Sequence, residues 1–503
     1  MKPSDNEPIS ERRKQFITED YYPWETKTEK HLDILLINPP SAEVYGSFKA
    51  AAKVGASPQM PLGILYIAGV LEKAGHKVSV IDCDIDGFTI DTIIEEIKKR
   101  KPHMIGFTAA TPVFEITKEI IKRIKKETSI ITMLGGFHIT ALPVQSMEQC
   151  PADFGFYGEA ECTVVDLADC ISKNYGLDDL KKIRGLLFRH EGKLYINEKR
   201  PLIKDLDRLP IPARHLVDYK KYIWSVPKKG LVPVTAITTQ RGCPFNCIFC
   251  GVQTIFPGVR YQSVPRIIDE LKSIVSDLNI THIQFQDDTM TLNKRKMEDM
   301  IQAVKDNHLE FTWEGYTRAN IITEDLLKKM KDIGLNRLSF GVETGNEKIL
   351  KAIKKDCDLD SYKKAYKLCY DIGIETRCSV MFGHPFETKE TIKETIKFIN
   401  KLKCYQAYIN ITTPYPGSEL LELAKEGFGG IKLLTEDWKE YRRYGNSVME
   451  MNGLTRDDLI MMQKWGYKKF YLRPKIIWYN IRRAGLKAAF INGIAFFKSV
   501  FSR

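Results

Sequence analysis

The feature that most constrains this chain is a regular alternation of strand-like and helix-like segments, which occurs twice along its 503 residues. The first series begins at residue 31 and ends near 175, and the second extends from 234 to 415. Alternation of this kind predicts βαβ units, in which consecutive strands are parallel and helices cover the sheet. We therefore expect an α/β protein with two separate parallel sheets.

The first series predicts a doubly wound, Rossmann-like sheet. Short apolar segments that fit strands alternate with amphipathic segments that fit helices. The strand-like segments are residues 32–40, 76–84, 103–111 and 129–138, and helical spacing marks 61–75, 89–101 and 114–127. Ligands of such sheets bind beyond the carboxyl ends of the strands. We therefore expect ligand-binding loops that begin at Asn38, Asp82, Thr108 and Gly135.

The second series contains six strand-like segments, which are residues 234–242, 281–288, 311–318, 337–344, 375–383 and 404–415. Six strands are too few for a closed eightfold barrel but fit a partial, TIM-like (β/α)6 barrel. The active site of such a barrel lies at the carboxyl ends of its strands. These patterns divide the chain into a flexible arm (1–30), a first domain (31–175), a linker with a hairpin (176–230), the partial barrel (231–425) and a helical, basic C-terminal region (426–503).

Hydropathy and cysteine usage are typical of an intracellular protein. The first 30 residues are polar and carry no secretory pattern, and no apolar run of about 20 residues predicts a transmembrane helix. Eight of the 11 cysteines occur singly, as small core residues commonly do. We expect a cytoplasmic protein, with peripheral contact at the inner face of the membrane as a further hypothesis.

Three cysteines are clustered instead, in the stretch TTQRGCPFNCIFC at residues 238–250. Cys243, Cys247 and Cys250 have the spacing Cys-x3-Cys-x2-Cys and follow the first strand of the second series. Three thiolates can hold three irons of a four-iron cluster and leave the fourth iron open to another ligand. The alternative is a structural zinc site, which needs four ligands. The nearest histidines, His215 and His282, lie outside the motif, so the spacing favours the iron–sulfur cluster.

This cysteine motif resembles the cluster motif of the radical S-adenosylmethionine (SAM) superfamily. The resemblance implies a [4Fe–4S] cluster whose open iron binds the amine and carboxylate of SAM. Reductive cleavage of SAM then yields a 5′-deoxyadenosyl radical, which takes hydrogen from an unactivated carbon. The resemblance also implies that Phe249, within the motif, lies near the adenine of SAM.

The resemblance extends to the ends of the later strands. Glu343 is similar to the carboxylate that contacts the ribose or amine of SAM in this superfamily. The further candidates are Gln286, Met381 and Gly383 for cofactor binding, and Arg318 and Asp288 together with Glu343 for catalysis. For Asp287, Asp288 and Arg318 the alternative interpretation is ordinary solvation of a strand end.

Residues 31–175 are similar to the cobalamin-binding domain that precedes the radical domain in one subgroup of this superfamily. The matching pieces are Asn38-Pro39-Pro40, Pro61-Leu62-Gly63, Gly135-Gly136-Phe137-His138 and Gly158-Glu159-Ala160-Glu161. The expected cobalamin contacts are Asn38, Pro61, Leu62, Gly63, Thr108, Gly135, Gly136, His138, Gly158 and Glu159. Many cobalamin proteins place a cobalt-ligating histidine in an Asp-x-His-x-x-Gly stretch after the first strand. Here Asn38-Pro39-Pro40 occupies that place, and we interpret His138 as a wall of the pocket or a core residue.

The C-terminal segment is strongly basic. Residues 464–503 contain ten Lys or Arg and no Asp or Glu, and so hold +10 of the net charge of +12. Residues 485–501 are apolar with lysines near both ends, as in amphipathic helices that lie on anionic membranes. A second interpretation is a helix that caps the active site with its aromatic side chains. Nucleic-acid binding is a third and weaker interpretation, because the basic residues form no known binding motif.

The leading hypothesis for function is a cobalamin-dependent radical SAM methyltransferase that methylates an unactivated carbon. The alternative is an enzyme of the same architecture that cyclises, couples or oxidises a lipid or tetrapyrrole without methyl transfer. A non-enzymatic iron–sulfur or corrinoid carrier is the third possibility, but it has no use for the strand-end residues beside an open cluster. The expected partners are a small-molecule substrate, which an apolar molecule or a lipid would fit, and an electron donor such as flavodoxin or ferredoxin.

Overall fold

The N-terminal half of the molecule is built on a seven-stranded sheet. The computed structural model describes residues 17–28, 30–41, 44, 59–173, 176–226 and 229–482. In spatial order the strands are Lys77–Asp82, Asp33–Asn38, Met104–Thr108, Ile131–Gly135, Phe154–Phe156, Leu186–His190 and Lys193–Ile196. The first five strands are parallel to one another, and the last two are added by antiparallel pairing. The direction of winding reverses at Asp33–Asn38, so the ligand-binding crevice is expected beside this strand.

The strand Asp33–Asn38 shows why the sheet is covered on both faces. Its four central residues are all buried. Ile34 and Leu36 pack in one hydrophobic core and Leu35 and Ile37 in another, as period-two alternation requires. The helices Leu62–Lys73 and Glu161–Ser172 belong to the first of these cores, and Ile90–Arg100 and Phe114–Glu127 to the second. The predicted doubly wound sheet is therefore confirmed.

Two segments outside the predicted first domain pack onto it. The hairpin expected in the linker adds the strands Leu186–His190 and Lys193–Ile196 to the sheet edge, so the domain extends beyond residue 175. Residues 18–19 of the predicted flexible arm pair in parallel with Leu202–Ile203. Trp24 is fully buried, and its indole nitrogen donates to the carbonyl of Arg208 at 3.1 Å. From residue 17 to 28 the segment is thus packed rather than loosely held, and residues 1–16 lie outside the described chain.

The second sheet has six parallel strands in sequence order. They are Thr235–Ile237, His282–Phe285, Thr312–Thr317, Leu335–Glu343, Glu375–Phe382 and Gln406–Ile411. The intervening helices are Val264–Lys272, Lys294–Asp306, Glu324–Asp332, Glu347–Ala352, Leu359–Ile372 and Lys389–Lys401. The first and last strands do not pair, which confirms the predicted partial barrel.

The C-terminal region covers the open edge of this sheet. Helix Arg456–Tyr471 lies against the last strand, where backbone groups would otherwise be unpaired. The hydroxyl of Tyr467 accepts from Ile409 N at 3.2 Å, and Gln463 Nε2 donates to Ile409 O at 2.8 Å. This part of the tail is therefore packed against the edge of the barrel, and its capping of the active site stays a prediction. The apolar segment 485–501 lies outside the described residues, and in the part that is described no helix is long and apolar enough to cross a membrane.

Candidate active site

The three cysteines lie on one loop, residues 242–259, which is closed at its base by a two-residue antiparallel ladder. In this ladder Gln240 pairs with Tyr261 and Arg241 with Arg260. Gly242 has a φ of +91°, and a Cβ atom there would overlap the carbonyl oxygen of Gly258. Only glycine allows the two ends of the loop to approach so closely. The base of the cysteine loop is therefore tightly constrained.

The thiols of Cys243, Cys247 and Cys250 are free and partly exposed. Burial raises the pKa of the Cys250 thiol to about 12 and also raises that of Cys243. These thiols stay protonated near neutral pH unless a metal stabilises the thiolate. Throughout the described chain, no three His, Cys, Asp or Glu side chains converge closely enough to hold a metal ion. The donor set fits a cluster with three cysteine ligands, but its side chains have to turn towards a common point to bind one.

Arg318, at the end of the third barrel strand, supports this loop. Its guanidinium lies over the ring of Phe245, 3.7 Å from the centroid, and Nη1 points at Cys247 Sγ at 3.8 Å. Nη2 donates to the backbone carbonyls of Lys355 and Asp356. A planar guanidinium can make these stacking and forked contacts at once. Arg318 therefore joins the cysteine loop to the 355–356 turn and places a positive charge beside a predicted cluster ligand.

Glu343 ends the fourth strand in an unusual backbone conformation. Its φ is +63°, a left-handed value that non-glycine residues adopt mainly where the surroundings enforce it. Its Oε1 accepts from Lys355 Nζ at 2.8 Å, and both residues are buried. The Lys355 ammonium lies 5.8 Å from the ring centroid of Phe249. A buried ion pair thus lies beside the aromatic residue of the cysteine motif.

The turn after the fifth strand packs against the same ring. His384 lies with its ring centroid 6.0 Å from that of Phe249, and burial lowers its pKa to about 3, so the imidazole is neutral. Gly383 N and His384 N donate to Glu387 Oε2 at 2.5 and 3.0 Å. Burial raises the pKa of Glu387 to about 8. Met381, on the strand that ends just before Gly383, is half-buried and pairs in register with Asn410.

The two aspartates that follow the second barrel strand, Asp287 and Asp288, have different surroundings. Asp287 is buried, and its carboxylate accepts from Thr239 N at 2.7 Å, from the Thr239 hydroxyl at 2.7 Å and from Gln240 N at 3.0 Å. It therefore holds the first strand end in place. Asp288 and Gln286 instead line a cavity between the domains, and poor solvation there raises the pKa of Asp288 to about 6.

This cavity has a volume of about 430 Å³ and is mainly apolar. Its first-domain wall includes Leu62, Gly63, Thr108, Gly135, Gly136 and Gly158, which are all predicted cobalamin contacts. Its barrel wall includes Gly242, Val252, Ile255 and Phe256, which flank the three cysteines in the chain. The strand ends of both sheets therefore open onto one space beside the cysteine loop.

Three residues predicted to contact cobalamin do not line the cavity. Asn38 donates from Nδ2 to Asp82 Oδ1 at 3.1 Å and so ties two neighbouring strands together. Pro61 only precedes the helix whose first residues face the cavity. His138 is fully buried between the rings of Phe114 and Trp438, at centroid distances of 4.1 and 5.4 Å.

His138 is therefore a core histidine, the second of the two interpretations offered for it. Its Nδ1 lies 3.1 Å from Thr111 Oγ1, and burial lowers its pKa to about 4. The neutral ring packs well between two aromatic side chains, whereas a charged imidazolium would be poorly solvated there. Within the motif Gly-Gly-Phe-His, the side chain that lines the cavity is that of Phe137.

Glu159 lines the cavity but is not free to bind a ligand. Its carboxylate is held by Arg241 and Arg260 of the second domain. Sequence reasoning missed both arginines, although Arg241 stands two residues before the first cysteine of the motif. It also missed Lys355, which no local pattern marks.

The fold and the three-cysteine loop define a two-domain α/β enzyme whose metal-binding loop faces an interdomain cavity. Residues 237–399 match the radical SAM superfamily, and residues 49–168 match the B12-binding domain. The chain is 34% identical over 452 residues to an uncharacterized methyltransferase of Pyrococcus horikoshii, covering 89% of this chain and 94% of the relative. The chain therefore belongs to the radical SAM superfamily, in the group that also carries a B12-binding domain.

Two further similarities agree with this assignment. The anaerobic magnesium-protoporphyrin IX monomethyl ester cyclase of Rubrivivax gelatinosus is 26% identical over 453 residues, covering 88% of this chain and 80% of the cyclase. The radical SAM methyltransferase TsrM of Kitasatospora setae, solved with cobalamin and a [4Fe–4S] cluster, superposes with a TM-score of 0.67. That superposition covers 88% of this chain and 90% of TsrM at 17% identity, so it establishes a common fold.

Proposed function

We propose that this chain is a cobalamin-dependent radical SAM methyltransferase that methylates an unactivated carbon of a small molecule. The observation that carries the proposal is the single cavity shared by the strand ends of the B12-binding domain and by the cysteine loop. When bound, the cluster with SAM and the corrinoid supply the radical and the methyl group. The protein's part is to hold these groups close together and to exclude water.

The cavity wall suits a large planar ring. Several of its lining residues, among them Gly63, Gly135, Gly136 and Gly158, have no side chain to keep such a ring away from the backbone. At Gly136 a Cβ atom would lie 2.7 Å from Ala109 N, so the loop is already packed as closely as a glycine permits. Gly135, Gly136 and Gly158, at strand ends, and Gly63, at a helix start, therefore form the proposed corrinoid cradle.

The ion pair next to Phe249 suits the methionyl part of SAM. Glu343 supplies a carboxylate for the SAM amine or ribose, and Lys355 supplies an ammonium for the SAM carboxylate. Their buried position keeps these interactions strong because little water competes for them. Gln286 and Asp288 line the cavity, where we propose that they orient the substrate or the ribose.

The inner face of the barrel favours a substrate with hydrogen-bonding groups over a wholly apolar one. Gln286 Nε2 donates to Gln284 Oε1 at 3.2 Å, and Gln284 Nε2 donates to the Tyr316 hydroxyl at 3.2 Å. Asn410 is also on this face, where it donates to Ser379 Oγ at 3.3 Å. A polar chain of side chains thus leads from the cavity into the barrel.

The test is a metal count and a product analysis on protein purified anaerobically with cobalamin supplied. About four irons and about one cobalt per chain, with substrate that gains one CH2 unit in mass, are the expected results. Alanine variants of Cys243, Cys247 and Cys250 should lose iron and stop forming 5′-deoxyadenosine, because three thiolates are needed to hold the cluster. Absence of cobalt from the supplemented protein would refute the methyltransferase.

Cyclisation, coupling or oxidation without methyl transfer is the second candidate, favoured by the likeness to the magnesium-protoporphyrin cyclase. The same product analysis separates the two candidates. A substrate that loses hydrogen without gaining carbon would replace methyl transfer by this second reaction. Production of 5′-deoxyadenosine is common to both and tests only the radical step.

We also propose a cytoplasmic enzyme that takes electrons from flavodoxin or ferredoxin and touches an anionic membrane through its tail. Leu472, Ile477 and Trp478 are exposed within the basic segment 464–503, with exposed fractions of 42, 43 and 62%. Such a surface suits the interface of an anionic bilayer. Co-flotation with phosphatidylglycerol vesicles but not with phosphatidylcholine vesicles is expected, and Trp478→Ser should weaken it. Equal recovery with both lipids would contradict the membrane contact.

A further inference from the structure

Two buried arginines face each other at the base of the cysteine loop. We call residues 240–242 and 258–261 the neck, because they join the loop to the barrel. Arg241 and Arg260 are directly opposite each other in the ladder of the neck. Their side chains are only 11 and 7% exposed. Like charges directly opposite on paired strands destabilise the pairing, and burial worsens the repulsion.

The first domain supplies the charges that remove this repulsion. Glu159 Oε1 accepts from Arg241 Nη1 at 2.7 Å and from Arg260 Nη2 at 2.7 Å. Glu159 Oε2 accepts from Arg260 Nη1 at 2.9 Å and from Ile203 N at 2.8 Å. Glu161 Oε1 accepts from Arg241 Nη2 at 2.5 Å. Two carboxylates from the strand-end loop of one domain thus balance two guanidiniums in the neck of the other.

A second contact from the first domain reaches the far side of the loop. Gly251 directly follows Cys250, and a Cβ atom there would overlap the ring of Phe137. Phe137 comes from the strand-end loop that contains the cavity-lining Gly136. The guanidinium of Arg241 also lies between the rings of Tyr66 and Phe256, 5.4 and 5.6 Å from their centroids. The first domain therefore holds the cysteine loop both at its neck and beside its last cysteine.

We propose that Glu159 is a positioning residue for the iron–sulfur cluster. By clamping Arg241 and Arg260 together it sets the direction in which the loop leaves the barrel, and with it the placement of the three thiols. The B12-binding domain thereby prepares the cluster loop in addition to binding its own ligand. This inference depends on the radical SAM chemistry of the chain and is independent of methyl transfer.

The test compares Glu159→Gln with Glu270→Gln in the full-length protein. Glu270 is the comparison because it is also buried and also accepts from two arginines, Arg214 at 2.5 Å and Arg266 at 3.1 Å, neither of which belongs to the neck. Amide hydrogen exchange of residues 242–259 before cluster assembly reports on the loop itself. The EPR spectrum of the reduced cluster, recorded with and without SAM, reports on the geometry that results.

In Glu159→Gln we expect exchange in residues 242–259 to accelerate at least about tenfold, because the neck then holds two buried arginines with one carboxylate. The EPR spectrum and its change on adding SAM should also differ from those of the wild type. Glu270→Gln should lose global stability but keep both loop exchange and spectrum. Glu161→Gln also removes one carboxylate, but Glu161 pairs with Arg241 alone and does not bridge the two arginines, so it should show a smaller change in the same direction.

The Glu161→Gln variant also decides the question if Glu159→Gln does not fold. Wild-type loop exchange and a wild-type spectrum in Glu161→Gln would then overturn the proposal. If both variants fold, loop exchange and spectra indistinguishable from those of Glu270→Gln would overturn it equally. Failure to detect cobalt or methyl transfer would leave these measurements unaffected, so the two hypotheses fail separately.

Discussion

The substitution Gly136→Ala tests the proposed corrinoid cradle most directly. Gly136 follows the strand Ile131–Gly135 and has φ +103° and ψ −170°, a combination that is essentially restricted to glycine. A Cβ atom would lie 2.7 and 2.8 Å from the backbone N and O of Ala109 and 2.8 Å from Thr108 Oγ1. Two of these three neighbours are backbone atoms, which cannot rotate away as a side chain can.

The cost of this substitution has two parts. Holding an alanine in this backbone region costs about 1–3 kcal/mol, and overpacking against fixed neighbours costs about 1–3 kcal/mol more. A total of about 2–6 kcal/mol is a large part of the 5–15 kcal/mol that typically separates folded from unfolded protein. If the loop moves to relieve the overlap, it moves into the cavity or away from Thr108, and the corrinoid site changes shape.

The assay combines urea unfolding, followed by circular dichroism, with a spectrophotometric titration using aquacobalamin. In Gly136→Ala we expect the first unfolding transition at lower urea and an affinity for the corrinoid at least about tenfold weaker. Gly63→Ala, in the helix Leu62–Lys73, is the matched control for the unfolding transition only, because Gly63 lines the same cavity but its Cβ would meet nothing within 4 Å. Alanine should stabilise that helix by up to about 1 kcal/mol. Unchanged unfolding and affinity in Gly136→Ala would refute the reasoning.

Three other predictions concern buried side chains that can ionise. In Arg318→Lys the new side chain cannot both stack on Phe245 and donate to two carbonyls, so iron retention and the yield of 5′-deoxyadenosine should fall. Wild-type values for both would contradict the supporting role of Arg318. Lys355→Met leaves Glu343 buried without its cation, which should cost about 3–5 kcal/mol in unfolding free energy and raise the KM for SAM. An unchanged KM would exclude the pair from the SAM site. Burial lowers the pKa of His138 from 6.5 to about 4, so its contribution to stability is complete above pH 6.5 and is lost, by about 3 kcal/mol, as the pH falls to 4. His138→Gln should flatten the stability profile over that range, and a profile as steep as that of the wild type would refute this.

The sequence predicted regular elements well where burial imposes a clear period. The strand Asp33–Asn38 is apolar because both faces are covered, and the helix Phe114–Glu127 buries Phe114, Ile120, Ile121 and Ile124 on one side. Location within the fold was harder to predict than element type. The alternation in residues 184–201 is the same whether the hairpin stands alone or extends a sheet, so its pairing with Phe154–Phe156 left no local signal.

The candidate site shows the same limit. Strand-end residues such as Gly135 and Asp288 were predictable because the carboxyl ends of parallel strands meet at one edge of a sheet. The partners of those residues were not, because Glu159 and Arg241 are separated by 82 residues and come from different domains. His138 belongs to a strand-end motif whose backbone faces the cavity while its side chain points into the core.

The structure divides the cysteine loop into a constrained base and an adaptable tip. At the base, Gly242, the Arg241–Arg260 pairing and Glu159 fix the backbone through contacts that leave little freedom. At the tip, the three thiols are partly exposed and do not yet converge on a common point. Because the backbone is ordered in advance, binding a cluster has to order little more than the cysteine side chains, which lowers its entropic cost. A clamp contributed by the B12-binding domain therefore orders the cysteine loop before the cluster or the corrinoid binds. For this reason we expect the neck, and not the cysteines alone, to decide how well the loop assembles its cluster.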